Sequence, residues 1–399
     1  MDLIKELEAS QAEFSRIRRD LHAHPELRYE EHRTSDLVAT TLQGWGIPIH
    51  RGLGGTGVVG IIRSGTGSRA IGLRADMDAL PIQEMNTFAH ASRHAGKMHA
   101  CGHDGHTAML LAAASHLNAT RRFDGTVYLI FQPAEEGGGG AAKMIADGLF
   151  DKFDMESVYA LHNWPGMPLG AFAVNSGAIM ASSNEFKITL HGKGSHAALP
   201  HNAVDPVAAL AALSQALQNI LTRNKRPGDA AVLSITQMHA GEASNVIPDF
   251  AWLGGTVRTF SIDVLDLIEA RMRELAEHLA RGFGCEAEIV FNRKYPPTIN
   301  HPQETAVCVE VMRALAGEEN VDADVEAPMS SEDFSFMLQA KPGCYALVGN
   351  GDGGHRDHGH GAGPCMLHNT SYDFNDDLLP IGASYWVKLA QRLLPLGQV

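Results

Sequence analysis

The chain has 399 residues, of which 44% are hydrophobic, so it can bury more than one hydrophobic core and we expect two domains. Its formal net charge of -14 repels phosphate backbones and anionic lipid, which argues against nucleic acid and membrane surfaces as partners. The five cysteines are odd in number and scattered, the N-terminus lacks a basic secretory signal, and no segment is apolar for long enough to cross a bilayer. We therefore expect a cytoplasmic protein.

Two predicted helices, residues 3–21 and 34–45, precede a glycine-rich stretch. Gly52, Gly54 and Gly57 have the spacing of a dinucleotide-binding loop, but that loop needs a helix after its last glycine to hold the pyrophosphate. The sequence continues instead with Val-Val-Gly-Ile-Ile, which predicts a strand. We therefore interpret this stretch as the turn of a β-hairpin.

The densest cluster of metal-binding side chains lies in the sequence CGHDGH. It contains Cys101, His103, Asp104 and His106, and thiolate with imidazole favours a borderline-soft cation such as zinc, manganese or cobalt. Small apolar residues from Thr107 onward predict a buried helix, so we expect the cluster to lie on a loop that opens this helix. Taken alone, the cluster is also compatible with a single catalytic or buried cysteine among surface histidines.

Acidic or imidazole side chains follow three predicted strands. They are Asp76 and Asp78 after residues 70–75, Glu135 and Glu136 after residues 125–131, and His162 after residues 157–161. Strands that alternate with helices predict a mostly parallel sheet, and the carboxyl ends of such strands form a site. Two adjacent glutamates at the end of a buried strand are costly unless a cation neutralises them. For Asp76 and Asp78 the alternative is a pair of solvated turn aspartates.

A second domain is indicated by a change of pattern from residue 178. The order βαββαβ predicts a ferredoxin-like α+β domain of residues 178–292, in which Asp205 is the N-cap of a helix and Pro206 its first residue. We therefore expect residues 1–177 and 293–399 to form a discontinuous metal-binding catalytic domain, and the intervening residues to form an inserted domain.

A histidine- and glycine-rich tract occupies residues 349–363. It contains Asp352, His355, Asp357, His358 and His360. A flexible metal site loses ordering entropy on binding, so we interpret this tract as a mobile surface loop. His368 is a better ligand candidate, because the sequence around it predicts ordered structure.

The whole chain resembles the two-metal amidohydrolases that include hippurate hydrolases, aminoacylases and plant auxin-conjugate hydrolases, which are relatives of the carboxypeptidase G and dipeptidase group. The segments that carry the resemblance are, in chain order, HPEL, LRADMDALP, MHACGHDGHTAML, FQPAEEGGGGA, LHNWP, GKGSHAALPH, SNVIPD, SSEDF and LHNTSYDFND. The expected fold is a mixed, mostly parallel sheet flanked by helices. The inserted domain would then be a lid that also forms the dimer contact. The evident departure from the family is the histidine- and glycine-rich tract.

The resemblance also implies a set of functional residues. Two divalent ions, of zinc, manganese, cobalt or nickel, would be held by Cys101, His103, Glu136, His162 and His368. Glu135 would be the general base that takes a proton from water and passes it to the leaving amine. We expect Asp78 to orient a ligand, and Asp104 and His106 to act similarly.

Candidate substrate contacts lie in the inserted domain. By the resemblance, His196 and Asn245 reach the carbonyl oxygen of the substrate, in the same or a partner subunit. Arg258 is a candidate to bind the substrate carboxylate through two hydrogen bonds. The alternatives are a surface-loop histidine and an ordinary surface arginine.

These observations favour hydrolysis of N-acyl amino acids of the hippurate or N-acetyl type by a homodimer or larger homo-oligomer. One alternative is a metallo-dipeptidase or aminopeptidase, which would need an acidic group near the pocket for a free α-amine. Another is a metal-binding protein that has lost catalysis, although the presence of Glu135 argues against it. A serine hydrolase is disfavoured because the sequence has no Gly-x-Ser-x-Gly elbow.

Overall fold

The structure is a computed structural model that describes residues 3–356 and 358–397. The helices of this part of the chain are α1 (Leu3–Glu8), α2 (Gln11–Ala23), α3 (His32–Gly44), α4 (His103–Thr120), α5 (Glu135–Gly138), α6 (Gly140–Ala146), α7 (Leu149–Lys152), α8 (Pro206–Asn219), α9 (Ile262–Gly282), α10 (Pro302–Ala316), α11 (Ser335–Ala340) and α12 (Leu379–Leu393). The strands are β1 (Ile49–Leu53), β2 (Gly57–Ser64), β3 (Ala70–Asp76), β4 (Gly125–Gln132), β5 (Ser157–Trp164), β6 (Phe172–Ala173), β7 (Gly177–Met180), β8 (Ser183–His191), β9 (Ser195–His196), β10 (Ala231–Ala240), β11 (Val246–Ile247), β12 (Phe250–Thr259), β13 (Glu286–Tyr295), β14 (Thr298–Asn300), β15 (Val321–Asp322) and β16 (Gly343–Gly349). Within the described residues, no helix combines the length and the apolar character that a membrane span requires.

The chain divides into two compact units. The second unit contains residues 180–298 and 327–332, and the first contains the residues before, between and after these segments. The sequence had assigned residues 178–179 to the inserted domain, and residues 293–298 and 327–332 to the catalytic domain. The division in the structure differs at all three places, and the last two segments belong to the second unit. The first of these two continues β13, which pairs with β8, and the Ser330 carbonyl in the other accepts a hydrogen bond from the Ala181 N–H at 2.8 Å.

The first unit is built on a sheet with the strand order β1-β2-β4-β3-β5-β16-β6-β15. The four central strands, β4, β3, β5 and β16, are parallel. Parallel neighbours need long crossover connections, such as the one through α4 between β3 and β4. Strands β1, β2 and β6 add antiparallel pairs on either side. Helix α4 packs against β3 and against α12. The prediction of a mixed, mostly parallel sheet flanked by helices is therefore confirmed.

Helix α4 is buried along most of its length, as predicted, but it begins earlier than the sequence indicated. Its first residue is His103 rather than Thr107, so His103 and His106 lie in its first turn and not on a preceding loop. Gly102 precedes the helix with a φ of 95°, a conformation that glycine adopts without steric cost. The helix therefore fixes the spacing of both imidazoles.

Two predictions near the N-terminus had different outcomes. The single helix predicted over residues 3–21 is divided into α1 and α2 at Ser10, whose hydroxyl donates to the Leu7 carbonyl at 3.0 Å and ends the first helix. The hairpin interpretation of the glycine-rich stretch is confirmed, because β1 and β2 pair antiparallel around it. This stretch therefore has no dinucleotide-binding loop.

The second unit has its own sheet, with the antiparallel order β10-β12-β8-β13, and a core shared with α8 and α9. The chain order of these elements is the predicted βαββαβ. The carboxylate of Asp205 caps α8 by accepting from the Val207 N–H at 2.8 Å, and Pro206 is the first helical residue, as predicted. Proline suits this position because its missing N–H would have no helical partner.

We predict that Gly105→Ala destabilises the first unit. Gly105 lies in the first turn of α4, and a Cβ there would come within 2.2 Å of the buried Phe374 ring. Such overpacking costs ~1–3 kcal/mol of unfolding free energy, measurable by urea denaturation. Gly44→Ala is the matched control, because an added Cβ meets nothing within 4 Å. Equal stability of the two variants would show that Phe374 does not hold this helix turn tightly.

Candidate metal centre

Side chains from separate segments of the first unit meet at the carboxyl ends of β3, β4 and β5. Groups of ligand atoms that lie within 4.8 Å of one another include Asp76, His103, His106 and His162; Cys101, Glu136 and His368; and His103, Glu135 and Glu136. His103 and Glu136 each belong to two of these groups, so the groups are contiguous. All five side chains that were predicted to bind metal belong to them.

The two glutamates are positioned by a tight turn after β4. Ala134 has a φ of 55°, and its N–H donates to the buried carboxylate of Glu31 at 2.9 Å. The N–H of Glu136 donates to Asp78 Oδ2 at 2.9 Å. Carboxylates from two other segments therefore hold the backbone on both sides of Glu135.

Asp78 also orients His103. Its Oδ1 lies 3.2 Å from His103 Nδ1, which leaves His103 Nε2 facing the ligand groups. This nitrogen is buried without a hydrogen-bond partner among the described residues, and Asp76 Oδ2 is 3.7 Å away. A carboxylate on one ring nitrogen and an open second nitrogen are typical of a metal-binding histidine.

His162 lies inside β5, whereas the sequence predicted a strand that ended before it. Its Nδ1 donates to the Asn163 carbonyl at 2.7 Å, and its Nε2 is 3.4 Å from Cys101 Sγ. Burial, reinforced by the neighbouring His106, lowers the pKa of His162 well below its ordinary value. The ring is therefore neutral, and Nε2 carries a lone pair.

His106 and Asp104 have other partners. His106 Nδ1 donates to Asp76 Oδ1 at 2.6 Å, and its Nε2 accepts from the Asn163 N–H at 3.0 Å, so both nitrogens are occupied. His106 was expected to orient a metal ligand, and in the structure it contacts Asp76, which was not one of the predicted ligands. Asp104 departs from the prediction, because its carboxylate accepts from His22 Nδ1 at 2.9 Å on α2 instead of contacting a ligand.

The electrostatics of this centre favour positive charge. Burial raises the pKa of the Cys101 thiol well above its ordinary value, and the carboxylates of Glu136 and Glu135 raise it further. Burial alone would lower the pKa of His103, but Asp76 and Asp78 outweigh it and raise the pKa to about 10. A divalent cation would replace these protons and would also bind the buried Glu136 Oε1, which lies 3.2 Å from Nε2 of the candidate ligand His368. The donor set therefore fits a metal site.

Arg74 is a buried residue of this centre that the sequence interpretation missed. It is buried in β3 and donates to Asp76 Oδ2 at 2.7 Å and to Asp333 Oδ1 at 3.2 Å. The N–H of Asp333 in turn donates to Glu135 Oε1 at 3.3 Å. An arginine within the otherwise apolar segment AIGLRA was the available signal, since a buried charge requires a partner.

The predicted substrate contacts lie in the second unit. His196 and Asn245 are exposed neighbours that line a cavity of about 400 Å³, and the Ala197 N–H donates to the Asn245 carbonyl at 3.0 Å. Arg258 lines a different cavity, of about 430 Å³, and donates to Ser331 Oγ at 2.9 Å. The structure therefore brings His196 and Asn245 together and places Arg258 apart from them.

The histidine- and glycine-rich tract, which the sequence predicted to be a mobile surface loop, makes hydrogen bonds within itself and to Asp373 in its described part. Arg356 donates to the Gly361 and Gly363 carbonyls at 2.7 and 2.9 Å, and His360 Nε2 lies 3.2 Å from Asp373 Oδ2. The tract contributes to none of the ligand groups found among residues 3–356 and 358–397. Asp357 lies outside the described residues.

The fold and the ligand groups define a metal-binding α/β enzyme, and comparison with known proteins identifies its family. Residues 72–392 match the model of peptidase family M20/M25/M40. Hippurate hydrolase of Campylobacter jejuni is 41% identical over 99% of this chain and 100% of its own length, and N-acetyl-L-cysteine deacetylase of Bacillus subtilis is 39% identical over 95% of this chain and 87% of its own. A B. subtilis structure described as a dinuclear metal-binding M20 peptidase superposes with a TM-score of 0.83 at 33% identity, covering 97% of this chain and 99% of that one. The chain belongs to the M20 family, which confirms the resemblance found in the sequence.

We predict that the protonated side chain of His22 stabilises the folded protein and that this stabilisation is lost at alkaline pH. His22 lies between Asp104 and Glu84 at 2.9 and 3.2 Å, and although burial lowers its pKa, these hydrogen bonds raise it from 6.5 to about 10. A raised folded-state pKa gives a stabilisation that is complete below about pH 6.5 and is lost as the pH rises through about 10. The difference in unfolding free energy between wild type and His22→Gln should therefore shrink over this range.

Urea denaturation at a series of pH values measures this difference. His32→Gln is the control, because His32 is exposed. A pH profile of His22→Gln that runs parallel to that of the wild type would show that the His22 imidazolium contributes nothing to stability.

Proposed function

We propose that this protein hydrolyses the amide bond of N-acyl amino acids of the hippurate or N-acetyl type, releasing a carboxylic acid and a free amino acid. Two divalent ions, of zinc, manganese, cobalt or nickel, would be bound by Cys101, His103, Glu136, His162 and His368. The named activities of the relatives support the reaction, since hippurate and N-acetylcysteine are both N-acyl amino acids. The reduced cysteines support a cytoplasmic location.

The observation that carries this proposal is the sharing of Glu136 between two ligand groups. One group contains Cys101 and His368, and the other contains His103 and Glu135. A carboxylate has two oxygens, so Glu136 can contribute to two adjacent cation sites. Glu135, the preceding residue, belongs to the second of these groups, where it could act on a water bound there.

The chemistry needs a nucleophile and a proton carrier. Bound divalent ions lower the pKa of water and polarise a carbonyl group. The Glu135 carboxylate takes a proton from the attacking water and delivers it to the amine nitrogen as the carbon–nitrogen bond breaks. The N–H of Asp333 orients this carboxylate at 3.3 Å, and Asp78 keeps His103 and the backbone of Glu136 in place.

His196, Asn245 and Arg258 remain candidates for substrate binding in this proposal. The proximity of His196 and Asn245 supports a joint role at the carbonyl oxygen, where negative charge develops. Arg258 would bind the substrate carboxylate, and its hydrogen bond to Ser331 would orient the guanidinium.

We expect Glu135→Gln to lower kcat at least about 1,000-fold while metal content stays at the wild-type value, because the amide cannot accept the proton. Metal analysis of the purified variant, alongside its turnover of hippurate, measures both quantities. Cys101→Ala is the contrasting variant, in which metal content itself should fall. An active Glu135→Gln enzyme would remove the proposed proton carrier, and unchanged metal in Cys101→Ala would remove that ligand.

Substrate class is tested with matched pairs of compounds. N-acetyl and N-benzoyl amino acids should be hydrolysed with a higher kcat/KM than dipeptides that have the same C-terminal residue. The physical reason is that a free α-amine brings a positive charge that must lose its hydration beside the bound cations. A preference for the dipeptides would identify a dipeptidase instead.

We further propose that the protein is a homodimer formed through the second unit. Strand β10 is an edge of its sheet, and the outer half of the strand is exposed. The apolar side chains of Met238, Val246 and Phe250 are each more than half exposed in this region. An open strand edge beside apolar side chains favours pairing with another chain.

We expect Phe250→Glu to shift the dimer to a monomer, because a charge is costly to bury at an interface. Light scattering after size-exclusion chromatography measures the mass. Phe283→Glu is the control, since Phe283 is also exposed in this unit but follows α9, away from β10. Dissociation by the control alone would place the interface elsewhere, and a monomeric wild type would refute the dimer.

A further inference from the structure

Asn163 lies where several segments that carry candidate ligands meet. It is fully buried near the end of β5. Its side-chain Nδ2 donates to the Cys101 carbonyl at 2.7 Å, and its own carbonyl accepts from His162 Nδ1 at 2.7 Å. One residue thus fixes the peptide group of one candidate ligand and the ring of another.

Tyr372 determines the orientation of the Asn163 side chain. The Cys101 carbonyl can only accept a hydrogen bond, so the NH₂ group of Asn163 faces it and the amide oxygen faces the opposite way. The buried hydroxyl of Tyr372 lies 2.7 Å from this oxygen and therefore donates to it. Tyr372 belongs to the same C-terminal segment as His368, so this hydrogen bond also ties that segment to β5.

The packing around Gly102 shows how closely this pair approaches the ligand segment. A Cβ on Gly102 would lie 2.1 Å from Asn163 Nδ2 and 2.5 Å from the Tyr372 hydroxyl oxygen. The backbone between Cys101 and His103 therefore packs directly against the Asn163 amide and the Tyr372 hydroxyl group. A shift of either group would be transmitted to the backbone of the two ligands.

We propose that Tyr372 and Asn163 are positioning residues that hold Cys101 and His162 in the geometry for cation binding. This inference rests on the proposed function. Both residues act through ligands, since neither belongs to the ligand groups found among the described residues. Removal of an outer hydrogen-bond partner of a ligand typically costs about 10- to 100-fold in metal affinity or activity.

The test compares the release of bound metal. Tyr372→Phe removes one hydroxyl group and leaves the amide oxygen of Asn163 buried without this donor. We expect this variant, loaded with Zn²⁺ or with Mn²⁺, to lose metal to EDTA about 10-fold faster than wild type. We also expect its kcat on hippurate to fall about 10-fold while KM changes by less than about 2-fold. Tyr385→Phe is the control, because Tyr385 is a fully buried tyrosine of α12 outside this network. Its metal release and its kcat should match those of the wild type.

Asn163→Leu is a second variant that keeps the approximate shape of the side chain but can neither donate to Cys101 nor accept from Tyr372. It should also release metal faster, and the melting temperature of the metal-free protein reports whether folding is affected. Lower melting temperatures with wild-type metal release in both variants would overturn the inference, because the pair would then serve only the fold. A wild type that binds metal but does not hydrolyse N-acyl amino acids would refute the proposed function alone, and the release rates would still decide this inference.

Discussion

Buried negative charge is the constraint on which the structure of the first unit depends. The carboxylates of Asp76, Asp78, Glu135 and Glu136 come from two strand ends of one sheet, and only Glu136 is more than slightly exposed. Desolvation and mutual repulsion make such a group costly unless positive charge lies among its members. Arg74 supplies part of that charge from within β3. The remaining demand is the physical basis for a cation site, and hence for the proposed chemistry.

The arrangement of the sheet creates this concentration of charge. Parallel strands place their carboxyl ends at one edge, so the residues that follow β3, β4 and β5 meet although they are far apart in sequence. Helix α4 begins at the same edge and adds His103 and His106 at a fixed spacing. In the same helix turn, the carboxylate of Asp104 accepts a hydrogen bond from His22 on α2. The negative charge of Asp104 is therefore compensated by His22 and not by the candidate metal site.

Residue type decided which parts of the candidate site could be found from the sequence. Thiol and imidazole groups that cluster in a short segment, and carboxylate or imidazole groups at strand ends, indicate metal binding, and Cys101, Glu136 and His162 stood out for this reason. Asn163 and Tyr372 did not, because asparagine and tyrosine occur throughout proteins and their hydrogen bond joins positions 209 residues apart. Only the distances in the fold identify such a contact.

The sequence by itself determined the family, the order of helices and strands, the mostly parallel sheet and the side chains that meet at its carboxyl edge. It could do so because periodicity and ligand chemistry are local properties that the residue types encode. The tertiary structure decided where α4 begins, which segments belong to each unit and which partners Asp104, His106 and Arg74 take. These depend on backbone conformation and on hydrogen bonds between distant segments, which exist only once the chain has packed.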